Sequence, residues 1–457
     1  MGEHRRAEAA VALGRWTEPE EVLAQGRALR SAVGHEAHRR MTLAPDRPSV
    51  VRFVEASNEG RLPELVPLRV GRMLASPFAF FRGSAGLMAG DLAVGARSGL
   101  DAQLCGDAHA ANFGLYGTSE GQIVMDINDF DETLPGPWEW DLKRLVTSLV
   151  LAGREGGVSE KGCRDAASDA VRAYRDAARH LAELPFLESW TALGDESVLS
   201  KSKADDLLDD FAKAASKARK NTSAKVAAKW TRREGEHWRF IADPPVLTRI
   251  PDAEARAVAD ALPSYVDTLR ESRYNLIMRY GVSDVAFRVV GTGSVGLRNY
   301  LVLLHGNGDE ALILQVKEAR RSALAPFLDV PDARHEGKRI VHGARLVQAE
   351  TDILLGWTTI GDRHYIVRQF RNRKGEIDAT TLKRDDLDDY GRFAGALLAR
   401  AHSRSVDPRL LAGYCADGDG LDEAFTRYAV DYADRTAADH EELAEAVKSG
   451  RLPALVE

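Results

Sequence analysis

Residues 291–319 read GTGSVGLRNYLVLLHGNGDEALILQVKEA. With the residues just before them they form three runs, DVAFRVVG (284–291), LRNYLVLLHG (297–306) and EALILQVKEA (310–319). Each has the length and alternation of a strand. Glycine-rich turns, HGNGDE among them, join the runs. The first turn is Gly291-Thr292-Gly293-Ser294-Val295-Gly296, a G-x-G-x-x-G. A dinucleotide-binding turn of that form needs a helix directly after it and an acidic residue about 20 positions on. Here LRNYLVLL follows, and it alternates like a strand. The order is therefore strand, glycine turn, strand, turn, and a strand ending in Lys317. The plain reading of Lys317 is an edge-strand lysine; the sharper one is a cation reaching toward whatever the glycine turn covers.

Outward from this sheet, a helix is expected at about 334–350, then strands near 353–360 and 363–370. YGRFAGALLARAHS (390–403) and residues 423–449 return to helical spacing. Upstream, 1–60 reads as a polar helical lead-in and SPFAFFRGSAGLMAGDLAVG (76–95) as a turn and a buried helix. AQLCGDAHAANFGLYG (102–117) reads as a short strand and a polar loop. QIVMDINDFDE (122–132) reads as a strand ending in carboxylates. WEWDLKRLVTSLVLAG (138–153) carries Leu142, Leu145, Val146 and Leu149 on one helical face. Residues 159–240 look mostly helical. The class is α+β, divided into a helical extension (1–60), a mainly helical part (61–283) with an insertion at 159–240, a small sheet part (284–372) and C-terminal helices (373–457).

The 457 residues, 62 basic and 69 acidic for a formal charge of −7, exclude a global nucleic-acid footprint. No apolar run approaches the roughly 20 residues of a membrane span. Cys105, Cys163 and Cys415 have neither metal-ligand nor redox spacing and read as reduced thiols of a cytoplasmic protein. Residues 213–233 hold eight basic residues and no acidic one. Their plain reading is a solvated helix face; their sharper one is a polyanion-binding surface.

Three groups can carry chemistry. Asp107 and Asn112 lie on one short loop, GDAHAAN (106–112), where a carboxylate can meet an attacking hydroxyl and an amide oxygen can meet a metal ion. The alternative is a polar turn closed by its own hydrogen bonds. Asp126-Ile127-Asn128-Asp129-Phe130-Asp131-Glu132 ends a strand in hard oxygen ligands suited to Mg²⁺, or is an exposed acidic turn. One hairpin between Asn112 and Asp129 would return the second group to the first. The third group is the glycine turn with Lys317. Glu336, at the start of the 334–350 helix, shares a face with Ile340, Ala344 and Val347 and is a carboxylate that the macrodipole favours there.

Taken together these parts resemble the protein-kinase-like superfamily, and within it aminoglycoside and choline phosphotransferases. Those carry an H-G-D-x-H-x-x-N loop, a strand ending in I-D-F or I-D-W, and an Asp about a dozen residues later. Cys105 stands here at the place of the first His, Asn128-Asp129-Phe130 fills the second motif and Asp141 the third. More specifically, about 60 to 440 resembles a bacterial family, domain of unknown function 2252, through SPFAFFRG, CGDAHAANFG, DINDFDE, WEWDLKRL, VVGTGSVGLRNY, LQVKEA and RAHSRS.

The order of parts is reversed from an ordinary kinase, because Asp107 to Asp129 precede Gly291 to Lys317. The resemblance therefore implies a circularly permuted kinase-like fold of two lobes, which is tolerable when the original termini lie close together. It implies that Asp107 orients or deprotonates the acceptor, and that Asn112 and Asp129 hold Mg²⁺ with Asp131 as auxiliary ligand. The backbone of Gly291, Thr292, Gly293, Ser294 and Gly296 would cover the phosphates of ATP, and Lys317, held by Glu336, would contact them. Asp126 is expected to be structural, and His109 and Asp141 to brace the loop. Arg82, Arg368, Gln369 and Lys374 are either phosphate- or base-side groups or ordinary surface and stacking residues.

The expected function is ATP- and Mg²⁺-dependent phosphoryl transfer to a small-molecule acceptor, since the 12 residues from Asp129 to Asp141 leave no room for a protein-docking segment. A nucleotidyl transferase would use the same parts. The other class is a nucleotide-sensing or scaffold protein with a degenerate site, which the missing leading His favours. Expected partners are a nucleotide and the acceptor, with no membrane; nucleic acid enters only through the 213–233 segment.

Overall fold

The computed structural model describes residues 16–191, 207–235, 237–289, 291, 293–416 and 418–456. It is α+β, and its strand pairings are antiparallel. Among the described residues no helix is long and apolar enough to cross a membrane.

Four short strands carry the loops of the first half. β1 (Asp101–Leu104) pairs with β4 (Leu134–Pro137). β2 (Phe113–Gly117) and β3 (Ile123–Ile127) form the expected hairpin, with Phe113 opposite Ile127. Asn112 and Asn128 thus stand at the two feet of one hairpin, and the Asn128 N–H donates to the Asn112 carbonyl at 2.9 Å.

β1 rests on the Trp138–Glu155 helix, which is buried along nearly its whole length, and β2 and β3 rest on the Leu208–Arg219 helix. Leu142, Leu145, Val146 and Leu149 are buried, but so are Glu139, Asp141, Lys143, Arg144, Thr147 and Ser148. A helix whose polar side is buried must find partners for it. The Glu160–Glu183, Arg384–His402 and Gly420–Lys448 helices enclose it in one core, where Trp138 stacks on both Tyr174 and Phe425. Each large apolar side chain buried there is worth roughly 1.5–3 kcal/mol. The helical part, the C-terminal helices and the Glu336–Val347 helix share this core.

In the second half, β5 (Thr231–Glu234) and β6 (His237–Phe240) form a hairpin inside the stretch expected to be helical. Thr231 and Phe240 are buried at its paired ends. A six-stranded sheet follows in the order β11-β12-β10-β9-β8-β7. Its strands are β7 (Leu247–Arg249), β8 (Gly281–Arg288), β9 (Asn299–His305), β10 (Ala311–Ala319), β11 (Gly356–Ile360) and β12 (Arg363–Gln369). The sheet therefore begins before the expected boundary at 284.

Both faces of this sheet are covered, and period-2 alternation decides which residue goes where. Val302, Leu304, Leu312, Leu314 and Val316 pack with Val258, Leu262 and Tyr265. Leu301, Leu303 and Ile313 pack with Ala227, Phe240 and Phe370. Gln315 and Lys317 fall on the Ile313 side. The Glu336–Val347 helix packs on β10, β11 and β12. β13 (Gly375–Glu376) then adds to the free edge of β2, Gly375 opposite Leu115, and ties the two halves together.

All eight basic side chains of 213–233 are exposed, as a solvated face would be. The three cysteines are buried free thiols.

Candidate active site

The loop 105–112 is shaped by what lies beneath it. Gly106 has φ +84°, and a Cβ there would sit 2.3 Å from the Glu132 carbonyl oxygen. Only glycine lets the two loops touch. The Asp141 carboxylate accepts from the N–H of Cys105 at 2.8 Å and of Gly106 at 3.0 Å. His402 Nε2 stands 3.4 Å from Asp141 Oδ2, and its Nδ1 meets the Tyr174 hydroxyl at 2.8 Å. Ser148 Oγ accepts from the Ala110 N–H at 2.8 Å. The buried polar side of the Trp138–Glu155 helix thus holds this loop in place.

Asp107 is gripped by the same helix. Arg144 Nε donates to Asp107 Oδ1 at 2.6 Å, and the guanidinium lies 3.9 Å over the Phe81 ring. Burial raises the Asp107 pKa; Arg144 opposes this without cancelling it. His109 Nε2 is 3.7 Å from Asp107 Oδ2. Burial, then Arg82 and Arg144, push His109 well below its ordinary value.

Asn112 spans two loops. Its amide N–H groups donate to the carbonyls of Asp107 and Asp129, both at 3.0 Å, and its oxygen accepts from the Asp129 N–H at 2.7 Å. The oxygen expected to meet a metal ion is thus committed to the backbone, and the residue acts as a brace. Asp126 is structural as expected, buried in an ion pair with Arg400 at 2.5 Å.

Asp129 and Asp131 meet Lys317 from the far half of the chain. Its Nζ donates to Asp131 Oδ2 at 2.5 Å and lies 3.4 Å from Asp129 Oδ2. Asp131 Oδ1 is buried with no hydrogen-bond partner among the described residues. Burial would raise both carboxyls. Lys317 and Arg368 outweigh it at Asp129, which stays well below the carboxylate range. Burial and the Asp129 charge push Asp131 up to about 6. Burial opposes the charge on Lys317, but the two carboxylates win and raise its pKa. The three groups titrate as a unit.

Glu336 does not hold Lys317. Its carboxylate pairs with Arg339 one turn on, at 2.5 Å. The Arg339 guanidinium also donates to the carbonyls of Thr133 at 2.7 Å, Asp131 at 2.8 Å and Arg320 at 2.9 Å. The lysine is satisfied by the acid loop instead, so Arg339 is the helix's link to the site. Nothing in its sequence context marked it.

The glycine turn is fastened from the N-terminal side. Arg61 donates to the Val295 carbonyl and Arg72 to the Gly291 carbonyl, both at 2.5 Å. The Leu62 N–H donates to the Gly296 carbonyl at 2.8 Å. Among the described residues the N–H groups of Gly293, Ser294 and Val295 have no acceptor. Gly296 has φ +84° and backs onto the Arg61 side chain. Thr292 lies outside the described residues.

A cleft of about 440 Å³ joins these parts; Asp107, Asn112, Asp129, Asp131, Gly291, Gly293 and Ser294 line it together. Arg61, Arg69, Arg82, Arg320, Arg368 and Lys374 line it too. Arg82 makes no hydrogen bond or ion pair among the described residues, and its Nε is buried. Burial and Arg368 hold the Lys374 ammonium down to about 7. Gln369 does not line this cleft; its N–H donates to Asp352. Arg61, Arg144 and Arg339 were not legible as site residues, because each acts through a carbonyl or carboxylate distant in sequence.

Residues 61–446 match a family described as "Uncharacterized protein conserved in bacteria (DUF2252)", and the chain belongs to that family. No curated protein and no solved structure matches it.

Proposed function

We propose that this cleft is the site of an ATP- and Mg²⁺-dependent phosphotransferase on a circularly permuted, two-lobed kinase-like fold, acting on a small-molecule acceptor. The observation that carries the reading is the meeting of Lys317 with Asp129 and Asp131, 188 and 186 residues apart in sequence: both carboxylates line a cleft with the glycine turn and Asp107, and Lys317 stands buried behind them. A separation of more than about 15 Å between Lys317 and Asp129 would have argued against a permuted site. The contact is 3.4 Å.

The donor chemistry fits a hard cation. Among the described residues no group of three or more His, Cys, Asp or Glu is arranged to hold a metal ion. Mg²⁺ does not need one: it uses one or two carboxylates and completes its shell with water and phosphate oxygens. Asp129 and Asp131 would hold it, and the orphaned Asp131 Oδ1 is a ready ligand. The ion would supply charge neutralisation on the phosphates.

The chain's own residues do the rest. Lys317 and the free N–H groups of Gly293, Ser294 and Val295 bind phosphate oxygens. Asp107, with its pKa raised by burial, accepts the proton of the acceptor hydroxyl as that oxygen bonds to the terminal phosphorus. The bond to the bridging oxygen breaks, and ADP leaves with the electron pair. Arg144 keeps the carboxylate aimed.

The experiment is the melting temperature with and without ATP, each with and without Mg²⁺, for wild type and Asp129→Ala. A ligand at about 100 times its dissociation constant adds about 2.7 kcal/mol to stability. ATP should stabilise the wild type only with Mg²⁺, and Asp129→Ala should lose the effect. Asp107→Ala should keep the shift while phosphoryl transfer falls about 10²–10⁴-fold. No shift at millimolar ATP would defeat the proposal. The Arg144 grip on Asp107 favours a second reading, a nucleotide-binding scaffold; there Asp107→Ala would bind Mg-ATP and no acceptor would be phosphorylated by either protein. Nucleotidyl transfer would be told apart by release of pyrophosphate.

A further inference from the structure

We propose that the cleft recognises its donor through the phosphate chain alone, so that nucleoside triphosphates of any base and an inorganic triphosphate bind alike. This rests on reading the cleft as a phosphate site, and it concerns which donor that site accepts.

A nucleobase needs a flat apolar slot with a few placed polar groups. The described residues beside Lys317 form none. The next side chain on the same face of β10 is Gln315, and it is already engaged. Its amide donates to Asn299 at 2.9 Å, and Arg368 donates to its oxygen at 2.9 Å. Beyond it, Ile313 is covered by Ala227, Phe240 and Phe370, so the chain's own helix and β5–β6 hairpin fill the space under the sheet.

An apolar cavity that shares Asn128, Asp129, Arg368 and Lys374 with the cleft lies between Phe130, Ile340 and Ile366 and measures about 50 Å³. That is room for one or two waters at roughly 30 Å³ each, not for a purine.

The cations point the other way. Arg61, Arg82, Arg320, Arg368 and Lys374 line the cleft without a carboxylate partner among the described residues. They surround the acid pair on several sides. Arg82 borders Asp107 and His109, Arg61 borders Arg320, Glu132 and Asp131, and Arg368 and Lys374 border Asp129. With the N–H groups of Gly293, Ser294 and Val295, which have no acceptor among the described residues, this is a surface for many phosphate oxygens and no ring.

The test is calorimetric titration of the full chain with Mg-ATP, Mg-GTP, Mg-tripolyphosphate and adenosine. Dissociation constants for the three triphosphates should agree within about fivefold, with no adenosine binding. Either nucleotide binding more than about fivefold tighter than tripolyphosphate, or adenosine binding by itself, overturns the inference and leaves the phosphotransferase reading standing. No triphosphate binding overturns both. Two variants locate the site. Lys374→Gln, whose side chain makes no hydrogen bond among the described residues, should weaken all three ligands by a similar factor, about tenfold. Lys217→Gln with Lys225→Gln, on the exposed helix faces, should weaken none. The reverse pattern would put binding on the 213–233 surface and overturn the proposal.

Discussion

On the floor of the cleft, side-chain acceptors take up backbone N–H groups: Asp141 those of Cys105 and Gly106, Ser148 that of Ala110, Asn112 that of Asp129. On the glycine turn the pattern is inverted. There donors take up backbone carbonyls, Arg72 at Gly291, Arg61 at Val295 and the Leu62 N–H at Gly296. The floor is left presenting carboxylates, and the turn is left presenting N–H groups. One wall suits a cation and the other an anion, which is what a metal-bound phosphate requires. The difference teaches that the two walls differ in cost as well as in chemistry. The floor is built from buried charged groups that cannot lose a partner cheaply, while the turn is held at a partly exposed rim.

The largest expected effect breaks the floor. Asp141→Ala leaves two buried N–H groups without an acceptor and should cost about 3–5 kcal/mol, read from urea unfolding. A loss under about 1 kcal/mol would mean the floor does not depend on that helix. Arg144→Leu comes next. It leaves the half-buried Asp107 carboxylate without its cation, at about 2–4 kcal/mol near neutral pH. Its pH dependence has a definite sign. Burial already raises the Asp107 pKa, so the folded variant binds a proton more readily than the unfolded chain. The deficit should therefore shrink as pH falls from about 7 to about 5 and grow as pH rises. A deficit that is flat with pH would show that Arg144 acts through its packing on Phe81 instead.

The turn should give less. Gly296→Ala forces φ +84° on an L-residue and brings a Cβ within 3.0 Å of Arg61, for about 1–2 kcal/mol. It should weaken the Mg-ATP shift more than it weakens the fold. Gly291→Ala, at φ +67° with nothing within 4 Å, should cost about 1 kcal/mol from the backbone alone. Equal losses at the two glycines would mean that the Arg61 side chain yields to a Cβ at Gly296. At the small end, Lys217→Gln or Lys225→Gln should change stability by no more than about 0.5 kcal/mol.

Much of this was legible in the chain. Alternation in 297–319 assigned β9 and β10 and put Lys317 at the end of a strand. The spacing from Asn112 to Asp129 matched one hairpin, and that hairpin exists. Asp141 was expected under the loop and is there. Glu336 was misread because a helix-start carboxylate in line with Ile340 and Ala344 looks the same whether it faces Lys317 or Arg339. Asn112 was misread because an amide oxygen that ligates and one that accepts an N–H have the same sequence. The spacing of the Trp138–Glu155 helix showed its apolar face, and only the packed helices around it show that its polar face is buried too.

The sequence by itself determined the local parts: the strands, the glycine turn, the acid-rich loop ends and the family. These depend on periodicity and on backbone freedom, which neighbours in the chain settle. Only the tertiary structure decided that Lys317 meets Asp131 across 186 residues, that Arg144 rather than solvent answers Asp107, and that Arg61 and Arg72 fasten the turn. A buried charge must be matched by whatever the fold brings within about 4 Å, and no local pattern encodes which distant group that will be.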